Sequence, residues 1–269
     1  MELSTIFVGF STILAIYVYY YPAKAAYLFK FFVFLAMGSC GSFVTILVSL
    51  ICGPGRCTNI LYIIPYAQWT SRMLGVQWVI QGEEHLISVK DRSCVITPNH
   101  QTMLDFLACM CELWPKFGRC VTLAKRSVLW MFPLGPAAYL VGTYFIDRNY
   151  SARSSATIEQ LAKQMKEEEN KVIVYPEGSR NSGQEFLPFK KGAFHIALRN
   201  KIPILPIVIG PYRFLSDNPF RFGTGRVHVT ILPPVDTSQY KNVDVVKLLD
   251  HVRHQMKEEF EKLRKLDDE

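Results

Sequence analysis

Twenty-one consecutive residues, Phe31 to Ile51, carry no charge, and that run constrains what the chain can become more than any other feature. A helix rising about 1.5 Å per residue crosses the roughly 30 Å of a bilayer's hydrocarbon in that length. Ahead of it, Thr5 to Tyr21 form a second apolar and aromatic stretch of 17 residues, at the short end for a spanning helix. Pro22, Lys24 and Lys30 lie between the two, a connector suited to a helical hairpin. A secretory signal is the poorer reading of the first stretch. Glu2 is the only charge before it, and the basic leader such signals need is missing. The expectation is a membrane-embedded two-helix segment over residues 1–57, followed by a separate domain over residues 58–269. Orientation stays open. Lys24 and Lys30 draw the connector toward the cytosol, while Arg56 and Arg72 draw the following segment the same way. A hairpin dipping into one leaflet and a full crossing both satisfy these charges. Gly53 to Leu74, with Pro65, Tyr62, Tyr66 and Trp69, reads equally as a segment lying along a membrane surface or as a core helix of the domain.

The remainder alternates β-type and helical runs. Strands are expected at Val76–Ile80, Cys94–Thr97, Cys120–Leu123, Thr143–Ile146, Val172–Tyr175, Ile204–Ile209 and Val227–Leu232. Helices are expected near Met103–Leu113, Ala152–Glu168, Ala193–Arg199 and Val243–Leu266. Alternation of this kind predicts an α/β fold, a mixed central sheet flanked by helices, with active groups gathered at the carboxyl ends of strands. The seven cysteines are odd in number and scattered through apolar surroundings, with no C-x-x-C, so neither a disulfide scaffold nor a zinc site is expected. The net charge of +7 is not gathered into a basic tail, which argues against nucleic acid as a partner.

Asn99-His-Gln-Thr-Met-Leu-Asp105 stands where a strand meets a helical run, a usual place for groups that do chemistry. Residues five apart lie about 140° from each other on a regular helix, so His100 and Asp105 would not share a helical face. They meet if His100 sits in the entering loop and Asp105 in the first turn or two. The carboxylate then fixes the imidazole tautomer whose other nitrogen accepts a proton. Three more stretches follow in order: Gly142-Thr-Tyr-Phe-Ile-Asp-Arg148, Tyr175-Pro-Glu-Gly-Ser-Arg180 and Ile202-Pro-Ile-Leu-Pro-Ile-Val208.

In order and spacing these four stretches resemble the motifs of the glycerolipid acyltransferases, the 1-acylglycerol-3-phosphate acyltransferase family, from about Val76 to Val235. The resemblance implies His100 and Asp105 as the catalytic pair. It implies substrate contacts from Asn99, Lys125, Arg148, Glu177, Gly178, Ser179 and Arg180. A phosphate with nearly two negative charges calls for several cationic donors, and arginine's planar fork fits it best. Arg148 and Arg180 are the expected phosphate ligands, with Lys125 in support; Arg126, Lys190 and Lys191 also fall on or near strand-end loops. Glu177, between Pro176 and Gly178, is expected to thrust its carboxylate outward toward an acceptor hydroxyl. Gly178 would let the backbone approach a ligand closely. The prolines at 203 and 206 are expected to shape an acyl-binding wall.

Some positions depart from the family pattern. Tyr175 stands where phenylalanine is usual and Ser179 where threonine is usual. Ser127 takes the place of a glutamate found in many members. Asn149-Tyr-Ser151 matches a glycosylation sequon by letter only, since it follows Arg148 directly. His251-x-x-His254, among Asp250, Arg253, Lys257 and Glu258, reads as a solvated helix face. No G-x-S-x-G elbow and no phosphate-binding G-x-x-x-x-G-K-[ST] loop is present. The expected activity is transfer of an acyl group from acyl-CoA, as co-substrate, to the 2-hydroxyl of lysophosphatidic acid in phospholipid biosynthesis, with no cofactor and no metal. Glycerol-3-phosphate or another lysophospholipid is the alternative acceptor, and a non-catalytic lipid-binding protein the alternative class. The expected location is the endoplasmic reticulum membrane, with the site facing the cytosol.

Overall fold

Strand β2 (Val95–Pro98), β5 (Lys171–Ile173) and β6 (Ile204–Ile209) are buried along their whole lengths, which places them at the centre of a sheet. The computed structural model describes residues 12, 15–147, 151–183 and 185–266. Among these, a seven-stranded sheet also contains β1 (Val76–Gln81), β3 (Cys120–Lys125), β4 (Tyr144–Ile146) and β9 (Gly225–Ile231). Its order is β1-β9-β6-β2-β5-β3-β4. Every neighbouring pair is parallel except β6 and β9, so the sheet is mixed, as expected. Alternate residues of each central strand feed opposite cores. Ile96, Ile173, Leu205 and Ile209 join Leu86, Leu113 and Phe117 on one face. Val95, Val172, Ile204 and Val208 join Leu161, Phe194, Leu248 and Met256 on the other.

Helix α1 (Pro22–Cys52) is 31 residues long, and its composition and length suffice to cross a membrane. It includes the segment expected to connect two helices: Pro22 opens its first turn, where a missing N–H costs nothing, and Lys24 and Lys30 follow within it. Of the preceding apolar stretch, residues 15–20 are helical, while residues 5–11, 13 and 14 lie outside the described residues. A small antiparallel pair, β7 (Leu215–Asp217) and β8 (Phe220–Phe222), meets the first half of α1. There the Tyr27 hydroxyl donates to Asp217, Lys30 Nζ donates to Gly223 O at 3.2 Å, and Lys24 lies over the Phe220 ring.

The segment after α1 packs one side into the domain. Helix α2 (Ile64–Met73) and the 3-10 turn Cys57–Ile63 before it bury Ile60, Ile63, Ile64 and Ala67 and leave Tyr62, Trp69 and Met73 exposed. Helix α3 (Leu134–Leu140) packs on α1. Helices α4 (Ser151–Glu168), α5 (Gly192–Asn200) and α6 (Val245–Leu266) follow the sequence pattern closely.

The helix expected over Met103–Leu113 begins at Asp105 and is irregular: α-helical Asp105–Ala108 passes into a π turn over Cys109–Leu113, and α-helical Trp114–Phe117 continues beyond it. Pro115, which has no N–H to continue an ordinary ladder, accounts for the irregular turn before it. Motif Ile202–Val208 leads into β6 and supplies most of it, Ile204 to Val208. Pro206 is buried in mid-sheet, while Pro203, just before the strand, is half-buried.

Candidate active site

The loops that leave β2 and β5 are neighbours, because those strands pair directly. His100 follows β2, and Tyr175–Glu177 follows β5, so the two motifs share one edge of the sheet. His100 Nδ1 lies 2.8 Å from Asp105 Oδ2. The same oxygen accepts the backbone N–H groups of Gln101 (2.6 Å) and Thr102 (2.9 Å). Thr102 Oγ1 accepts the N–H of Leu104 at 2.9 Å, so Thr102-x-x-Asp105 closes the turn in the manner of a capping box. Asp105 is fully buried, whereas the His100 side chain is 23 % exposed. A carboxylate already holding two donors accepts the third from the imidazole. Nδ1 therefore carries the ring proton, and Nε2 presents a lone pair to the open side.

Three groups hold the histidine from other directions. Tyr175 stacks on its ring, with centroids 4.2 Å apart and planes 28° from parallel. Glu177 Oε1 accepts the His100 backbone N–H at 2.8 Å, and Asn181 N donates to His100 O at 2.8 Å. Burial pushes the Tyr175 hydroxyl far above its usual pKa, and the neighbouring Cys109 and Asp105 add to the effect. Tyr175 and Tyr212 therefore stay neutral; the latter is buried beside Asp105 and is likewise raised, first by burial and then by that carboxylate.

Glu177 lies where the sequence reading did not put it. It is 3 % exposed, and its carboxylate turns inward: Oε1 takes His100 N, and Oε2 accepts Leu187 N at 2.9 Å. Burial raises its pKa, while these two donors partly offset that rise. Two loop amides without other acceptors draw the group in, and this interaction outweighs the tendency of a turn carboxylate to face water.

Asn99 has its partners in the sheet. Its amide is fully buried and pairs both ways with one residue of β6, donating to Ile209 O (3.0 Å) and accepting from Ile209 N (2.7 Å). It extends the β2–β6 ladder as a side-chain peptide, with both amide atoms occupied by Ile209. Gln101, absent from the sequence reading, does similar work, donating to Ile209 O at 2.8 Å and Gly210 O at 2.9 Å. Asn99→Ala leaves the buried Ile209 N–H without its acceptor. It should cost roughly 1–3 kcal/mol, a fall of about 2–10 °C in the melting temperature, readable in a thermal melt of the purified chain.

Gly178 occupies the left-handed region at φ 69°, a turn that glycine adopts without strain. The turn delivers Ser179 and Arg180 to the surface, where both side chains are exposed. Arg180 immediately precedes Asn181, the residue bonded to His100 O, so it borders the histidine loop. Lys125 ends β3 on the same edge of the sheet and is exposed, as are Arg126, Lys190 and Lys191. Arg148 and the adjacent Asn149 lie outside the described residues. The buried thiols Cys94 and Cys109 have pKa values pushed to about 12 by burial, so they are neutral packing groups.

A profile of the acyltransferase family matches residues 77–210, a span that holds all four motifs, and the chain belongs to that family. More narrowly, it is similar to 1-acyl-sn-glycerol-3-phosphate acyltransferases. The alpha form of Bos taurus is 40 % identical over 185 residues, covering 68 % of this chain and 63 % of that one. The enzyme so named in Salmonella typhimurium is 34 % identical over 173 residues, covering 64 % and 69 %. The alignment thus spans just under two thirds of the bovine relative's length. The fold is also that of the 1-acyl-sn-glycerophosphate (LPA) acyltransferase PlsC from Thermotoga maritima, with a TM-score of 0.69 at 20 % identity, covering 90 % of this chain and 97 % of that one.

Proposed function

We propose that this protein transfers an acyl group from acyl-CoA to the 2-hydroxyl of lysophosphatidic acid, giving phosphatidic acid. The observation that carries the reading is the His100 Nδ1–Asp105 Oδ2 contact of 2.8 Å, on an imidazole that is partly exposed. A glycerol hydroxyl is a weak nucleophile until its proton is removed. His100 Nε2 takes that proton as the oxygen attacks the thioester carbonyl, and buried Asp105 stabilises the imidazolium. When the tetrahedral intermediate collapses, the C–S bond breaks, and the imidazolium returns its proton to the leaving thiolate. The chemistry calls for no metal and no covalent enzyme intermediate. Arg180, with Lys125 and Arg148, would bind the acceptor's phosphate, while Glu177 and Asn99 would hold the histidine loop in place.

Residues 1–57 would form the membrane-embedded segment and residues 58–269 the acyltransferase domain. Support comes from the way α1 is sided. It buries the small residues Gly41, Ser42, Thr45 and Ser49 against the domain and turns Phe29, Phe32, Leu47, Leu50 and Ile51 outward. A helix in water would be sided the other way; this pattern suits hydrocarbon outside and close packing inside. The membrane would be that of the endoplasmic reticulum, with the site facing the cytosol.

The test is incubation of the purified full chain with labelled acyl-CoA and a panel of acceptors. Preferential labelling of lysophosphatidic acid supports the proposal. Preference for glycerol-3-phosphate or another lysophospholipid would move the acceptor, and no transfer to any would overturn the activity. Glu177→Gln separates positioning from substrate contact. The amide can accept only one of the two N–H groups, so the loop shifts and kcat should fall about 10–100-fold, with KM for the acceptor nearly unchanged. A rise in KM alone would return Glu177 to the acceptor site.

A further inference from the structure

The segment that follows β3 contributes nothing to the core. It is a 3-10 turn, Arg126–Trp130, with no buried residue, and it ends in three consecutive large apolar side chains, Trp130, Met131 and Phe132. Trp130 is 79 % exposed and Phe132 73 %. Isolated apolar residues on a surface need no explanation, but a contiguous group does.

The segment is also held in shape. Met131 N donates to Val128 O at 3.0 Å and Gly135 N to Met131 O at 2.7 Å. A Cβ on Gly135 would stand 2.1 Å from Leu129 O, so only glycine lets the turn fold back so tightly on α3. The apolar tip is therefore built into the fold.

Its surroundings identify what it meets. Phe132 packs edge-on against Phe43 of α1, with ring centroids 5.6 Å apart, so the tip continues the outward apolar face of that helix. Lys125 and Arg126, both exposed, stand at its base, where anionic headgroups would lie. Trp130 is the residue type that favours the boundary between headgroup and acyl chain. The whole segment springs from the carboxyl end of β3, on the sheet edge that carries His100 and Arg180.

We infer that Trp130, Met131 and Phe132 form a second, non-helical membrane contact that inserts into the leaflet alongside α1 and brings the site's rim to the lipid surface. The inference rests on the membrane reading of α1 given above. It assigns the α/β domain, and not the N-terminal helix alone, a share in lipid binding. A lysophospholipid would then pass sideways from the leaflet to the site without leaving the interface.

The experiment uses the full chain in vesicles of phosphatidylcholine and an anionic phospholipid. The protein has four tryptophans, so the signal of Trp130 is the difference between the wild-type chain and Trp130→Phe. That difference should be quenched by lipids brominated in their acyl chains and protected from aqueous iodide. Trp130→Ser/Phe132→Ser should lower kcat/KM toward a long-chain acceptor presented in vesicles about tenfold, a loss near 1.4 kcal/mol. Turnover of a water-soluble short-chain acceptor should stay unchanged. Quenching by iodide and not by bromine would overturn the inference while leaving the reading of α1 intact. Protection from both quenchers would mean that another protein surface covers the tip, and would overturn it too. A chain that does not enter vesicles at all would sink this inference and the membrane reading together.

Discussion

His100→Ala is expected to abolish measurable acyl transfer while leaving a folded protein. General-base assistance contributes about 10²–10⁴-fold to a rate, and no other described imidazole is bonded to Asp105 that could replace it. The fold should survive because the ring is partly exposed and its main packing partner, Tyr175, is anchored in the loop after β5. Asp105 loses one donor but keeps the N–H groups of Gln101 and Thr102. Asp105→Asn should cost nearly as much activity, because a neutral amide neither stabilises an imidazolium nor enforces the productive tautomer. It should cost more stability than His100→Ala, since the same oxygen organises the turn. Steady-state rates with a thermal melt of each variant would decide the matter. Most of the activity surviving in folded His100→Ala would remove the proposed mechanism.

The pair was legible in the sequence for a local reason. A strand-to-helix junction with four residues between the two groups leaves few ways to arrange them, and a Thr-x-x-Asp turn favours the one observed. The central strands were legible for the same reason: Val95–Pro98 and Ile204–Ile209 are short apolar runs between breakers. What stayed hidden depends on partners distant in the chain. Asn99 looks like a site residue by its place beside His100, yet its partner, Ile209, is 110 positions away. Glu177 looks exposed from its turn, yet it is captured by an amide 77 positions before it. Likewise, β7 and β8, which pack against Pro22–Lys30, were unread because Ser216, Asp217 and Arg221 interrupt any apolar run there.

Arg180→Ala is expected to act on the acceptor and not on acyl-CoA. The side chain is exposed at the end of the turn that Gly178 makes possible, one residue from the amide that binds His100 O. It forms no ion pair among the described residues, so its fork is available to a ligand. Losing a charge-assisted bond to phosphate costs roughly 1.5–3 kcal/mol, which corresponds to a rise in KM for lysophosphatidic acid of about one to two powers of ten. Stability should hardly change, because an exposed arginine contributes little to the core. Arg180→Lys should recover only part of the loss, since an ammonium supplies charge without the bidentate geometry. Raising the ionic strength should weaken acceptor binding in the wild type more than in Arg180→Ala, because the variant has already lost much of the attraction that salt screens. Kinetics with each substrate varied in turn would show which one the arginine serves. A defect confined to acyl-CoA would move the phosphate-binding role of Arg180 to the donor, and would leave Lys125 and Arg148 as the cations to test against the acceptor.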